Sequence, residues 1–123
     1  MTLILLSIPF AVCKLRDPSL VRWDGEYAFL SKEEDQWSLV CESGCLPSNT
    51  VAVEDGWRAL KVEGPLSFSL TGVLAKITAV LAQAGISVFT LSTYDTDYIL
   101  IKAEKRHTAA EVLTAAGYEI IVQ

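Results

Sequence analysis

The alternation of apolar and polar residues is clearest in the second half of the chain. Residues 57–62 alternate in part and run into a Gly-Pro pair, which predicts a strand followed by a break. From Leu70 the apolar residues recur at spacings of three and four, which predicts a helix of about four turns with one buried face. We expect Ser69 or Thr71 to cap the start of this helix and Gly85 to end it.

Two β-branched segments, residues 86–93 and 98–103, flank a polar turn and predict a β-hairpin. A capping box at Thr108 predicts a second helix that ends at Gly117, and residues 118–122 form the last strand. The resulting order is β-α-β-β-α-β, which predicts an α+β, ferredoxin-like unit with both helices on one face of a four-stranded antiparallel sheet. The other face would need a second sheet or a second chain to cover it.

The first half of the chain suggests a shortened copy of the same order. Its strands are expected at residues 3–15, 27–30 and 37–41, with a short turn or helix at 17–20 and a weak connector at 47–55. No linker rich in Pro, Gly or Ser separates the halves. We therefore expect tandem units, an abbreviated one over residues 1–56 and a complete one over residues 57–123.

Composition narrows the possible functions. The chain of 123 residues carries 15 acidic and 10 basic residues, a net charge of −5. This balance argues against nucleic acid as a partner, since a nucleic-acid-binding domain needs a basic face. There is one histidine, His107, and no dense set of polar catalytic residues. We expect a binding module rather than an enzyme; catalysis by His107 with a thiol is a minor alternative.

The apolar segment at residues 2–13 is predicted to be a buried strand. Its first basic residues, Lys14 and Arg16, follow it, and Pro9 interrupts it, so its charge order is the reverse of a secretory signal. The segment is also too short to cross a bilayer as a helix. These features indicate a cytoplasmic protein without a membrane partner.

The three cysteines, Cys13, Cys41 and Cys45, are expected to be ordinary reduced thiols. Cys41 and Cys45 are four residues apart, which is not the spacing of a zinc knuckle, and no second pair accompanies them. No EF-hand series of acidic residues is present either. We expect no metal and no cofactor.

Two loops are candidate ligand-binding segments. At residues 68–74 a loop enters a helix, where free N–H groups favour an anion and Gly72 would let a ligand approach closely. Alternatively, Gly72 only allows the helix to pack tightly on a strand. At residues 92–97, Asp95 or Asp97 could pair with a cationic group of a ligand, or the segment is a plain polar hairpin turn.

The residues of these loops resemble ACT domains. The resemblance lies in V-E-G-P-L-S-F-S-L-T-G-V-L at residues 62–74, A-G-I-S-V-F at 84–89 and S-T-Y-D-T-D-Y-I-L at 92–100. More narrowly, the chain is similar to small tandem-ACT proteins related to the CASTOR-type amino-acid sensors. It departs from a general ACT domain at Thr71-Gly72, where a Pro-Gly pair would begin the helix.

The resemblance implies a regulatory module that binds a small molecule, usually an amino acid, at the interface between ACT units. It also implies that two such chains often pair as a dimer. By position, Leu70, Thr71, Gly72 and Val73 would hold the amino-acid backbone, and Thr93, Tyr94, Asp95 and Asp97 would line the side-chain end. The alternative function is a protein interaction or oligomerisation module that has no small ligand.

Overall fold

The computed structural model describes residues 1–123, and backbone contacts divide them into two compact units. The helical unit comprises Met1–Ser7 and Arg58–Gln123, and the strand unit comprises Ile8–Trp57. The strands are β1 (Thr2–Leu15), β2 (Ala28–Glu33), β3 (Gln36–Glu42), β4 (Thr50–Val62), β5 (Val88–Ser92), β6 (Asp97–Lys102) and β7 (Glu119–Val122). The helices are α1 (Val73–Gln83) and α2 (Arg106–Ala115), with 3-10 turns at Ser43–Cys45 and Ala103–Lys105.

The sheet of the helical unit has the strand order β7-β1-β4-β6-β5. Strands β5 and β6 are antiparallel, whereas β1 and β7 are parallel, with Thr2 opposite Glu119 and Leu5 opposite Val122. The expected sheet of four antiparallel strands is therefore wrong in one respect, because the start of β1 lies between β7 and β4. Alternating apolar residues specify which face of a strand is buried, but they do not specify its neighbour.

The core of the helical unit lies between this sheet and the two helices. Ile77 and Leu81 are four residues apart on α1, so they point to the same side, and both are fully buried. Each such side chain stabilises the fold by about 1.5–3 kcal/mol. The other buried members are Leu3 and Leu5 of β1, Leu60 and Val62 of β4, Ile86 between α1 and β5, Ile99 and Ile101 of β6, and Ala109 and Leu113 of α2. The α+β class is thus confirmed.

Helix α1 begins without the side-chain cap that we expected. Gly72 precedes it in the left-handed region at φ 74°, and no side chain accepts a hydrogen bond from the first turn. The Ser69 hydroxyl instead lies 2.7 Å from that of Ser67, in a turn closed by the Leu70 N–H and the Ser67 carbonyl. At the other end the prediction holds, since Gly85 follows the helix at φ 73°.

Helix α2 begins at Arg106, two residues before the Thr108 that we expected to cap it. The 3-10 turn at Ala103–Lys105 runs directly into the helix, so the chain is already wound when it reaches Thr108. Gly117 follows the helix at φ 100°, as predicted. No helix of the molecule is both long and apolar enough to cross a membrane.

The strand unit contains β2, β3 and the later part of β1, in that order, with the first part of β4 beside β1. Its core is formed by Cys13, Leu15, Val21, Leu39 and Cys41. No α-helix occurs in this unit, and the expected connector at residues 47–55 is mostly strand, since β4 begins at Thr50. The expected division at residue 56 differs from the observed one in residues 1–7, which belong to the helical unit, and in Trp57, which belongs to the strand unit.

Candidate functional site

A cleft of about 440 Å³ opens in the helical unit beside the start of α1. One wall is the segment that leads from β4 into α1, and the other is the turn between β5 and β6. The lining residues are Leu66, Ser67, Phe68, Leu70, Gly72, Val73, Leu74, Ala75, Ser92, Thr93, Tyr94, Asp95, Thr96 and Asp97. The volume is within the range of small-molecule sites in proteins.

The α1 wall of the cleft presents main-chain N–H groups. The first helical hydrogen bond runs from the Lys76 N–H to the Gly72 carbonyl at 3.0 Å. No side chain caps the main-chain N–H groups that precede Lys76 in the first turn. A helix N-terminus of this kind attracts anions through its free N–H groups and its dipole. A Cβ atom at Gly72 would meet nothing closer than Lys76 Cε at 3.9 Å, so the space above this residue is open.

The turn wall is held in place by Thr96, which is 4% exposed. Its hydroxyl donates to the Val62 carbonyl at 2.6 Å, which ties the turn to β4. The Thr93 N–H donates to the Thr96 carbonyl at 2.8 Å and closes the turn. The Ser92 hydroxyl donates to Asp97 Oδ1 at 2.5 Å and fixes the orientation of that carboxylate.

Two contacts join the walls. The Leu66 N–H donates to the Asp95 carbonyl at 2.7 Å. A Cβ atom at the neighbouring Gly64 would lie 3.1 Å from that same carbonyl, so glycine allows the close approach. The rings of Phe68 and Tyr94 meet edge to face with their centroids 5.0 Å apart. These rings are 75% and 80% exposed, so they form an apolar rim at the cleft.

The charged side chains that line the cleft are both acidic, Asp95 and Asp97. Asp95 also lines a second, smaller cavity of about 230 Å³, together with Lys61 and Tyr98. Burial raises the pKa of the Tyr98 hydroxyl, and the charge of Asp95 raises it further. Asp95 therefore faces two cavities, whereas Asp97 is the acidic group that belongs to the cleft alone.

Seven of the eight residues expected at a ligand site line this cleft, namely Leu70, Gly72, Val73, Thr93, Tyr94, Asp95 and Asp97. Thr71 is exposed and is not part of the lining. The eight expected residues did not include Phe68, although it begins the candidate segment 68–74 and lines the cleft. They did not include Thr96 either, which lies in the candidate segment 92–97 and whose burial follows from tertiary packing without a local signal.

The histidine and the cysteines, which were the candidate catalytic and metal-binding residues, do not line the cleft. His107 is exposed on the first turn of α2 and does not line the cleft. Cys13 and Cys41 are buried, and burial raises the pKa of Cys41 to about 12, with further contributions from the other thiols and Glu42. No group of three or more His, Cys, Asp or Glu side chains is arranged to hold a metal ion.

Comparison with known proteins relates this geometry to a family. The sequence profile of the ACT domain matches residues 52–115, more than half of the chain, including both walls of the cleft. The chain belongs to the ACT domain family. The human protein CASTOR3P is 38% identical over 86 residues, which cover 61% of this chain and 53% of that protein. The chain thus spans about half the length of this curated relative.

Solved structures share the fold. Protein Atu0741 from Agobacterium tumefaciens superposes with a TM-score of 0.87 at 25% identity, over 99% of this chain and 92% of that one. The ligand-free regulatory subunit of aspartate kinase from Thermus thermophilus superposes with a TM-score of 0.68 at 11% identity, over 95% and 97% of the two chains. This ACT domain therefore shares its fold with both of these proteins.

Proposed function

We propose that this ACT protein is a regulatory module that binds an amino acid in the cleft between α1 and the β5–β6 turn. The observation that carries the proposal is the pairing of uncapped N–H groups on one wall with Asp97 on the other. An α-carboxylate suits the helix N-terminus, and a cationic group suits the carboxylate. Because both charged lining residues are acidic, an amino acid with a cationic side chain is favoured.

Two finer expectations belong to this proposal. The first is that the strand unit is a shortened second ACT unit, although the profile match begins only at residue 52. The second is that a neighbouring unit or a second chain completes the site, because every residue lining the cleft comes from the helical unit and the Phe68–Tyr94 rim is exposed. Both expectations remain predictions.

Calorimetric titration with each of the twenty amino acids tests the proposal. A ligand at one hundred times its dissociation constant should also stabilise the fold by about 2.7 kcal/mol in a thermal melt. Arginine and citrulline form an informative pair, since they have similar shape and differ in charge; arginine should bind more tightly. If none of the twenty gives a saturable signal, the proposal is wrong.

Single substitutions test whether the amino acid binds in the cleft. Asp97→Asn should weaken binding of the cationic amino acid by about ten-fold or more, since hydrogen bonds to charged groups contribute about 1.5–3 kcal/mol. Asp35→Asn is the matched control, because Asp35 lies at an exposed turn of the strand unit. Equal losses in both variants would mean that net charge, and not the cleft, determines affinity.

The exposed rim also favours a second candidate function, a protein interaction module without a small ligand. Leu70, Phe68 and Tyr94 are 53%, 75% and 80% exposed, and clustered apolar side chains of this kind mark contact surfaces. Light scattering distinguishes the two functions. A strict monomer that binds an amino acid would exclude the second, and an oligomer that dissociates in Phe68→Ser without any amino-acid binding would support it.

A further inference from the structure

The second cavity, of about 230 Å³, differs from the cleft in the charges of the residues that line it. It shares three residues of the β5–β6 turn with the cleft and adds four of its own. The shared residues are Thr93, Asp95 and Thr96, and the added ones are Lys61, Gly64, Pro65 and Tyr98. Both charged residues of the cleft are acidic, whereas the second cavity has one charged residue of each sign, Lys61 and Asp95.

The Lys61 ammonium group is positioned by an aromatic ring and has no acidic partner. Lys61 lies on β4 and Tyr98 on the neighbouring strand β6, and Lys61 Nζ is 5.8 Å from the centre of the Tyr98 ring. A cation at this distance over a ring face is attracted to the ring. The ring is not a counter-charge, however, and Lys61 forms no ion pair with Asp95. The positive charge is therefore positioned but not neutralised.

The main chain at Asp95 is fixed by two hydrogen bonds. The Leu66 N–H donates to the Asp95 carbonyl at 2.7 Å, and the Thr96 hydroxyl donates to the Val62 carbonyl at 2.6 Å. Both bonds join the turn to the segment that ends β4 or follows it. The carboxylate of Asp95 is itself exposed. A ligand that meets a wall formed in advance loses less free energy to ordering when it binds.

We propose that the second cavity, through Lys61 and Asp95, binds a small zwitterion, an α-amino acid of the size of glycine or alanine. The carboxylate of the ligand pairs with the Lys61 ammonium, and its ammonium group pairs with the Asp95 carboxylate. The volume lies below the range of about 300–1,000 Å³ that is typical of sites for drug-sized molecules, so the occupant is small. The site is separate from the one proposed in the cleft, because Lys61 does not line the cleft and Asp97 does not line the second cavity.

Nuclear magnetic resonance tests the two sites with separate reporters. The Cε–H signals of Lys61 report on the second cavity, and the Gly72 amide reports on the cleft. Lys32 is an internal control, because its Nζ lies 5.6 Å from the centre of the Trp37 ring in the strand unit and so has a similar environment. Titration with glycine should shift the Lys61 signals to saturation and leave those of Lys32 unchanged. A saturable shift of Gly72 alone would support binding in the cleft and would overturn the second site.

Acetate and methylammonium, which each carry one of the two charges of glycine, test whether the ligand is a zwitterion. At constant ionic strength, glycine should half-saturate the Lys61 shift at a concentration lower by about ten-fold or more, because each analogue pairs with only one charged side chain. Equal binding of acetate and glycine would mean that Asp95 takes no part, and equal binding of methylammonium and glycine would mean that Lys61 takes no part. Either result, or no saturation with glycine, would overturn the proposal.

Three variants complete the experiment, with binding followed at the Gly64 amide, which lines the second cavity. Lys61→Gln and Asp95→Asn should each weaken glycine binding by about five-fold or more, since each removes one charged partner. The control Lys32→Gln should leave glycine binding unchanged. Dispersed signals of the Gly64 and Gly72 amides show that each variant is folded. Equal losses in all three variants would indicate an effect of net charge and would overturn the proposal.

Discussion

The hydroxyl of Thr96 holds one wall of the cleft, and Thr96→Val removes it at nearly constant volume. In the native chain this hydroxyl donates to the Val62 carbonyl at 2.6 Å in a site that is 4% exposed. Loss of the donor leaves a buried acceptor without that bond, which costs about 1–3 kcal/mol. For a chain of this length that corresponds to a fall in Tm of roughly 3–5 °C per kcal/mol.

The matched control is Thr96→Ser, which keeps the hydroxyl and loses one methyl group, at a cost of about 0.8 kcal/mol. Thermal melts should therefore rank the native chain first, Thr96→Ser second and Thr96→Val last. Because the bond ties the turn to β4, Thr96→Val should also weaken ligand binding in the cleft more than Thr96→Ser does. If Thr96→Val is as stable as the native chain, the hydrogen bond does not hold the turn and the explanation of this wall is wrong.

Three further results are expected. Gly72→Ala should lower the free energy of unfolding by about 1–2 kcal/mol, because φ is 74°, a left-handed conformation that is unfavourable for alanine, while the surrounding space is open. The control is Gly44→Ala, since Gly44 has no positive φ and no atom within 4 Å of the new Cβ. In thermal melts this control should change the free energy of unfolding by at most about 0.5 kcal/mol. In the native chain a thiol reagent should modify Cys45 readily and the buried Cys13 and Cys41 only after unfolding, and simultaneous reaction of all three would refute this. Between pH 9 and about pH 12 the Cys41 thiol ionises in the unfolded chain but stays protonated in the fold, because burial raises its pKa to about 12. The free energy of unfolding should therefore fall as pH rises over this interval. Denaturant titrations should show a smaller fall for Cys41→Ala than for the native chain.

Local sequence signals identified most of the elements of the helical unit. The spacing of Ile77 and Leu81 placed α1, and Gly85 and Gly117 marked the ends of both helices, because an αL residue there has a local backbone cause. The starts of the helices were less predictable. Gly72 and a 3-10 turn, and not Ser69, Thr71 or Thr108, begin them, since several nearby residues could serve and packing selects one.

Most of the candidate site was also predictable, because its residues lie in two short loops that join regular elements. Seven of the eight expected residues line one cleft, although their role in binding remains a proposal. Tyr94 was expected at the site, but the burial of Thr96 and the contact between the Phe68 and Tyr94 rings could not be found in this way. Their positions depend on contacts between segments about 30 residues apart along the chain, such as the bond from Thr96 to Val62.

The sequence by itself determined which residues are apolar on one face, and so determined the α+β class and the two loops that carry polar groups beside a helix N-terminus. Tertiary structure alone decided that the first residues of the chain pair with the last strand, Thr2 beside Glu119, and that the Thr96 hydroxyl donates to the Val62 carbonyl. The physical reason is that periodicity encodes burial, which is local to each strand. The choice of strand partner depends on the packing of the whole sheet.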